Sequence, residues 1–143
     1  MIAREPIFSA LFAKLSALTE FTTTSRRLQS IQDIAIENFP AAYQLQGKQV
    51  VHKKVNVPPI YEMEASWILC AFESDQTIAP STQLNALIDD AVGALEPDAT
   101  TNANTLGGLV TQCTIEGDIE VFEGVLGDRA VAIIPIRILV PGF

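Results

Sequence analysis

The stretch IYEMEASWILCAF, residues Ile60–Phe72, decides the fold. One face of this stretch is apolar at every second position: Tyr61, Met63, Ala65, Trp67, Leu69 and Ala71. The other face starts polar at Glu62 and Glu64 and becomes apolar toward Phe72. Alternation at period two predicts a β-strand, because successive side chains of a strand point to opposite faces. We expect this strand to be half-exposed where it begins and buried on both faces where it ends.

Three other segments show the same alternation and predict further strands. Residues 41–55 form one such segment, with a turn or bulge at Gly47. Residues 109–122 form the second, in which Gly117 resets the register. Residues 129–140 form the last strand, and Pro135 within it predicts an edge position or a bulge, because proline has no backbone N–H for a ladder hydrogen bond.

Apolar residues at helical spacing predict two helices. They span residues 3–18 and 81–95, each with one apolar stripe. Residues 22–28 suggest a short strand, and residues 30–39 are ambiguous between a helical turn and a loop. The helix-rich and strand-rich segments together predict an α+β fold, with a mostly antiparallel four- to five-stranded sheet and two main helices packed on one face. We expect one domain over residues 1–143.

The sheet face away from the helices is expected to be apolar and uncovered. Val131, Ile133 and Leu139 of the last strand share that face, and no predicted element remains to cover them. An uncovered apolar sheet face is an aggregation hazard or an interface. These three residues are therefore candidate contacts with another copy of the chain.

The composition predicts a folded globule outside the membrane. Apolar residues make up 48% of the chain and charged residues 18%, and the mean hydropathy is +0.27. No apolar run approaches the roughly 20 residues that a membrane span needs. The first residues show no secretory pattern, so we expect a cytoplasmic chain. Cys70 and Cys113 are then expected to be reduced, with a disulfide only if their strands are neighbours.

Charge is divided unevenly along the chain. Residues 1–54 carry seven basic and four acidic side chains, a net +3, whereas residues 55–143 carry two basic and thirteen acidic ones, a net −11. So acidic a half argues against sequence-specific nucleic-acid binding. Head-to-tail contact between copies could use the two signs if the fold separates them in space, but ordinary surface solvation is the simpler explanation. The candidate contacts are Arg26, Arg27, Lys53 and Lys54 on the basic side and Glu116, Asp118 and Glu120 on the acidic side.

No pattern of catalytic or metal-binding residues stands out. His52 is the one histidine, beside Lys53 and Lys54, and reads as a surface residue. One histidine and two distant cysteines cannot supply a usual zinc site. Gly107–Gly108 lacks the rest of a phosphate-loop motif. We therefore predict no enzymatic activity, no catalytic residue, no cofactor and no metal.

Several segments, taken in order, resemble the tail-terminator (tail-completion) proteins of long-tailed bacteriophages. They follow the amphipathic first helix and are distributed over most of the chain: Pro40–Gln44, Trp67–Phe72, Leu84–Ala91, Asn104–Val110, Cys113–Gly117 and Ala132–Leu139. The Leu-Gly-Gly-Leu-Val segment at residues 106–110 and the Ile-Pro-Ile segment at 134–136 carry the resemblance most clearly.

The resemblance implies a structural subunit that forms a ring, commonly of six copies, at the head-proximal end of the phage tail. Such a ring stops polymerisation of the tail tube and presents the surface to which the head joins. Its partners would be other copies of itself, the tail-tube protein and a neck or head-completion protein, and it would be assembled in the bacterial cytoplasm into the virion. The alternatives are another neck or tail-tube subunit, a small carboxylate-based enzyme, or a ligand-binding dimer.

Overall fold

The computed structural model describes residues 2–100, 102–124 and 127–141. Its helices are α1 (Arg4–Ser16) and α2 (Pro80–Ala94). Its strands are β1 (Thr23–Ser25), β2 (Ala41–His52), β3 (Ile60–Phe72), β4 (Gln112–Ile115), β5 (Glu120–Phe122) and β6 (Arg129–Pro141). The ambiguous segment before β2 forms two short 3-10 turns, Ile31–Asp33 and Ile36–Asn38.

The strands form one mixed sheet in the order β1-β2-β3-β6-β4, and β5 also pairs with β6. β1 runs parallel to β2, whereas the other pairs are antiparallel. The α+β prediction is confirmed, and the predicted four- to five-stranded sheet is corrected to six strands of mixed direction. The additional strand arises because the predicted strand over residues 109–122 is broken at Gly117, whose φ of 120° interrupts the extended chain.

Both helices pack on the same face of the sheet. Buried residues of α1 (Ile7, Phe8, Leu11, Leu15) and of α2 (Leu84, Leu87, Ala91) share one core with the inward residues of β3 and β6. β6 contributes every second residue to this core: Ala130, Ala132, Ile134, Ile136, Ile138 and Val140. The alternation in the sequence therefore predicted the inner face of β6 correctly.

β6 is a central strand, although Pro135 predicted an edge or a bulge. It pairs along its length with β3 and on its other side with β4 and β5. The Pro135 carbonyl accepts a hydrogen bond from the N–H of Glu116 at 3.2 Å, so the ring nitrogen also faces that side. There the chain between β4 and β5 has no ladder pairing with β6. The proline is tolerated in a central strand because no ladder acceptor lies opposite its nitrogen.

The β2–β3 hairpin extends beyond the core. A β-bulge lies between Gln46 and Gln49, as Gly47 suggested, and a Cβ at Gly47 would approach the Cβ of Glu64 to 3.2 Å. The distal part of the hairpin, residues 47–60, is here called the arm. Most side chains of the arm are exposed, and residues 53–59 lie beyond Pro141, the last described residue of β6.

A buried glutamine ties α1 to the sheet. Gln44 on β2 is 1% exposed. Its Oε1 accepts a hydrogen bond from Trp67 Nε1 at 3.0 Å, and its Nε2 donates to the carbonyl of Phe8 at 2.9 Å. Since a buried polar group without a partner is costly, this one side chain satisfies groups on β3 and α1 at once.

Replacing Gln44 with alanine should therefore destabilise the fold strongly. The substitution leaves Trp67 Nε1 and the Phe8 carbonyl without their partner and opens a cavity, so we expect a loss of about 2–4 kcal/mol in the free energy of unfolding. Urea denaturation followed by tryptophan fluorescence measures it. Gln46→Ala, an exposed position on the same strand, is the control and should change the free energy by less than about 0.5 kcal/mol. Equal losses for the two variants would contradict this account.

Candidate functional site

The sheet face away from the helices is partly covered by the chain itself. Residues 26–40, here called the strap, cross one end of this face, and their Ile34 is 2% exposed. A second small core there unites the strap with β2, β3 and β6 through Ile31, Ile34, Phe39, Ala41, Tyr43, Ile68, Cys70 and Val131. The expectation that no element covers this face is therefore wrong at the strap end. The segment was overlooked because it is irregular and has no periodic pattern.

An arginine and two aromatic rings hold the strap in place. The guanidinium of Arg129 lies 5.5 Å from the ring centre of Phe39 and 5.4 Å from that of Phe72. The two rings are 5.7 Å apart in a tilted arrangement. Cation–π contacts of this kind stabilise packing between a cation and aromatic faces. They join the end of the strap to β3 and β6.

The other half of the same face carries a cluster of charges. Arg137 on β6 lies 3.0 Å from Glu62, 3.7 Å from Glu64 and 3.4 Å from Glu116. His52 Nε2 lies 2.9 Å from Glu62. Ile133 and Leu139 lie on the same face and are partly buried. Because the ion pairs of Arg137 share this face with them, the face is more polar than the sequence suggested. The interface role of Val131, Ile133 and Leu139 stays a prediction.

Among the basic candidates, the pair Arg26 and Arg27 lies far from the pair Lys53 and Lys54. Arg26 follows β1 at one side of the sheet, where its guanidinium forms an ion pair with Glu5 and donates to Gln46 Oε1 at 3.0 Å. The hydrogen bond from Arg26, and a second one from Ser9, lower the pKa of Glu5. Arg27 beside it is exposed. Lys53 and Lys54 lie instead at the tip of the arm, where both are exposed.

The acidic candidates lie at the opposite side of the sheet. Glu116 follows β4 and Glu120 begins β5, with Asp118 in the break between them. The predicted strand over residues 109–122 is not continuous, and the break at Gly117 separates Glu116 from Asp118 and Glu120. Glu116 is paired with Arg137, whereas no ion pair within the described residues involves Asp118 or Glu120.

Two groups of exposed residues were missed by reasoning from the sequence. The first is the apolar set on the arm, Val50, Val51, Val55, Val57 and Ile60. Their position between lysines and the Pro58–Pro59 pair was the available signal. The second is an acidic recess of about 330 Å³ beyond the end of β3, lined by Glu73, Asp75, Ile78 and Asp128 among others. No local pattern could reveal it, because Asp128 is distant in sequence from the rest.

The geometry shows no assembled reaction centre among the described residues. A groove of about 470 Å³ is lined mainly by apolar residues of α1, the loop before β4 and the end of β6. A smaller recess of about 260 Å³ contains Glu64 and Glu116, but Arg137 is paired with both carboxylates. Within residues 2–100, 102–124 and 127–141, no cluster of three or more potential ligands could hold a metal ion. No described helix is long and apolar enough to cross a membrane.

Acidification should weaken the charge cluster through Glu62. The hydrogen bond from His52, followed by the charge of Arg137, lowers the pKa of Glu62. Ionised Glu62 therefore adds stability above the ordinary glutamate pKa, and this contribution is lost as the pH falls through the lowered pKa of the folded state. We expect His52→Ala to raise the pKa of Glu62, measured by carboxyl carbon NMR. Lys53→Ala is the control; a Glu62 pKa that is unchanged by His52→Ala would contradict this role.

Both cysteines should be unreactive in the folded protein. Burial raises the pKa of Cys70 and of Cys113 to about 12. Cys70 belongs to the core under the strap and Cys113 to the core under the helices, so they lie on opposite faces of the sheet and cannot form a disulfide with each other. A thiol reagent near neutral pH should label neither in the native state and both after unfolding in guanidinium. Rapid labelling of either native thiol would contradict the packing.

Comparison with known proteins adds no family assignment to this geometry. No protein-family model matches the chain, and no curated protein sequence matches it significantly. The resemblance to tail-terminator proteins thus rests on the residues quoted above. The structure contributes the α+β fold and the positions of the unpaired charges.

Proposed function

We propose that the chain is a structural subunit of a phage tail, which assembles with copies of itself into a terminator ring at the head-proximal end. In this role the ring stops growth of the tail tube and joins it to the neck. The proposal assigns no catalytic step to any residue. It is supported by the ordered series of segments that resemble tail-terminator proteins and by an α+β fold with surfaces suited to self-association.

One observation carries the proposal: the fold separates unpaired charges of opposite sign. Arg27 lies beside the edge strand β1, and Lys53 and Lys54 lie on the arm that extends from β2 and β3. Asp118 and Glu120 lie beside β4 and β5 at the other side of the sheet. Such a subunit presents complementary surfaces in different places, so contacts between copies are head-to-tail. Head-to-tail contacts close into a ring when the rotation between copies permits it.

Exposed apolar residues accompany the charges on both sides. Val55 on the arm is 87% exposed, and Val121 and Phe122 on β5 are each 46% exposed. Large exposed apolar side chains that occur together with charge are typical of protein–protein contacts. Arg26 and Glu116 contribute less, because each already has an ion-pair partner within the chain. The tail-tube and neck proteins remain the proposed external partners.

The oligomeric state of the purified protein tests the proposal directly. We expect native mass spectrometry to show a six-copy species at low salt that dissociates as ionic strength rises, because salt screens charges separated by more than about 8–10 Å. Electron microscopy of the same sample should show rings. A stable dimer that is insensitive to salt would contradict the proposal and favour a ligand-binding role.

Deletion of the gene from a phage genome that carries it separates the terminator from its close alternatives. Loss of a terminator should give overlong tails without heads. Loss of a tube subunit should give no tails, and loss of a neck protein should give tails of normal length that fail to join heads. Either of the last two outcomes would contradict the terminator role and would identify the chain as a tube subunit or a neck protein instead.

A further inference from the structure

The tip of the arm is a turn that exposes an apolar side chain. The N–H of Val57 donates to the carbonyl of Lys54 at 3.4 Å, and Asn56 between them has a φ of 63°. Asparagine tolerates this left-handed conformation better than most residues. The turn holds Val55 at its apex, where the side chain is 87% exposed. An ordered turn that presents a valine to solvent is suited to insertion into a partner.

Two lysines, Lys53 and Lys54, directly precede this valine. In the part of the chain that the structure describes, the ion pairs involve neither Lys53 nor Lys54. The nearest charged pair on the arm, His52 with Glu62, lies toward the core. The tip therefore combines two free cations with an apolar apex, and it fits a surface that is acidic at its rim and apolar within.

A recess with this chemistry lies at the opposite end of the sheet. Its volume is about 330 Å³, and its lining combines the carboxylates of Glu73, Asp75 and Asp128 with the apolar Ile78 and Pro80. Ile78 is 42% exposed. Residues at this recess, too, take no part in the ion pairs of the described chain. The acidic rim and the apolar lining complement the lysines and the valine of the tip.

Hydrogen bonds hold the recess open in one arrangement. The N–H of Glu73 donates to the carbonyl of Asp128 at 2.9 Å, and the N–H of Asp75 donates to Glu73 Oε1 at 2.9 Å. The backbone N–H and the hydroxyl of Thr77 donate to Asp75 Oδ1, and these hydrogen bonds lower the pKa of Asp75. A surface that is ordered before binding loses little conformational entropy when a partner docks.

The two surfaces cannot meet within one copy. The arm lies at the start of β3 and the end of β6, whereas the recess follows the end of β3 and precedes β6. β3 and β6 have thirteen residues each. At about 3.3 Å per residue, roughly 40 Å of sheet separates the arm from the recess. Any contact between them must therefore join two copies.

We propose that the tip of the arm of one copy docks into the acidic recess of a second copy. This inference rests on the proposed self-assembly, and it assigns the recess, rather than Asp118 and Glu120, as the acidic surface that meets Lys53 and Lys54. Lys53 and Lys54 approach the carboxylates of Glu73 and Asp128, while Val55 enters beside Ile78. Because the arm and the recess are different surfaces, the contact is heterologous and propagates from copy to copy until a ring closes or a filament forms.

Charge reversal and remixing provide the test. The arm variant is Lys53→Glu with Lys54→Glu, and the recess variant is Glu73→Lys with Asp128→Lys. Each variant alone opposes like charges at the contact, so association measured by analytical ultracentrifugation should weaken by roughly 100-fold. An equimolar mixture should associate again, since each variant's arm then meets a recess of opposite charge. Recovery in the mixture also shows that neither variant has merely failed to fold.

Two control variants separate the contact from general effects. Lys14→Glu reverses an exposed lysine on α1, away from the arm and from every candidate contact, and it should leave association within about twofold of the unmodified chain. Val55→Ser removes the apolar apex without changing charge, and we expect roughly tenfold weaker association. Val92→Ser, an exposed valine on α2, is its matched control and should have no effect.

The outcomes distinguish this contact from the proposed function. If the unmodified chain forms six-copy rings and the arm variant forms them equally well, the docking contact is wrong and the terminator role stands. If remixing restores association but the products are dimers or open filaments without rings, the contact stands and the terminator role is wrong. If the unmodified chain stays monomeric at high concentration, the proposed contact is wrong. It is also wrong if association does not recover in the mixture of the two variants.

Discussion

The pairing of β3 with β6 is the constraint on which the rest of the structure depends. Thirteen residues of each strand are in register, from Ile60 opposite Pro141 to Phe72 opposite Arg129. Because the side chains of a strand alternate between two faces, a shift of one residue would move Arg137 into the core under the helices. The register therefore determines which residues contact α1 and α2. It also determines which residues contact the strap and where the charge cluster lies.

The face away from the helices is stabilised in two different ways. At one end the strap covers it, and Ile34 and Tyr43 are buried between the strap and the sheet. At the other end Arg137 pairs with glutamates of β3 and with Glu116. Exposed ion pairs contribute little stability individually, but the cluster keeps this half of the face polar. The strap and the charge cluster leave less apolar surface on this face than the sequence suggested, and the interface role of Val131, Ile133 and Leu139 stays a prediction.

This arrangement changes the physical account of self-association. The apolar residues of the last strand, Val131, Ile133 and Leu139, first suggested an apolar sheet face as the contact between copies. In the structure, exposed apolar side chains lie at Val55 and its neighbours on the arm, close to lysines, and no ion pair among the described residues involves the carboxylates of the distal recess. Charge complementarity of this kind orients partners and accelerates their encounter, while the apolar apex supplies contact area. A subunit with one projecting element and one distant recess is suited to directional assembly.

The sequence by itself determined the features that depend on local periodicity. The bounds of β3, the buried stripes of both helices and the inner face of β6 all follow from spacings of two or of three and four residues. The charge imbalance between the two halves of the chain was also visible, and it led to Lys53 and Lys54. These features are local because side-chain direction along a helix or strand is set by its own geometry.

Only the tertiary structure decided the features that join distant residues. Pro135 lies in a central strand because the break after β4 faces its nitrogen, and the strap covers the sheet although it has no periodic pattern. The acidic recess brings Glu73 close to Asp128. Glu116 forms an ion pair with Arg137 and is separated from Asp118 by the break at Gly117. Each of these contacts depends on which strands become neighbours. That choice is made by the packing of the whole core, and no window of sequence contains it.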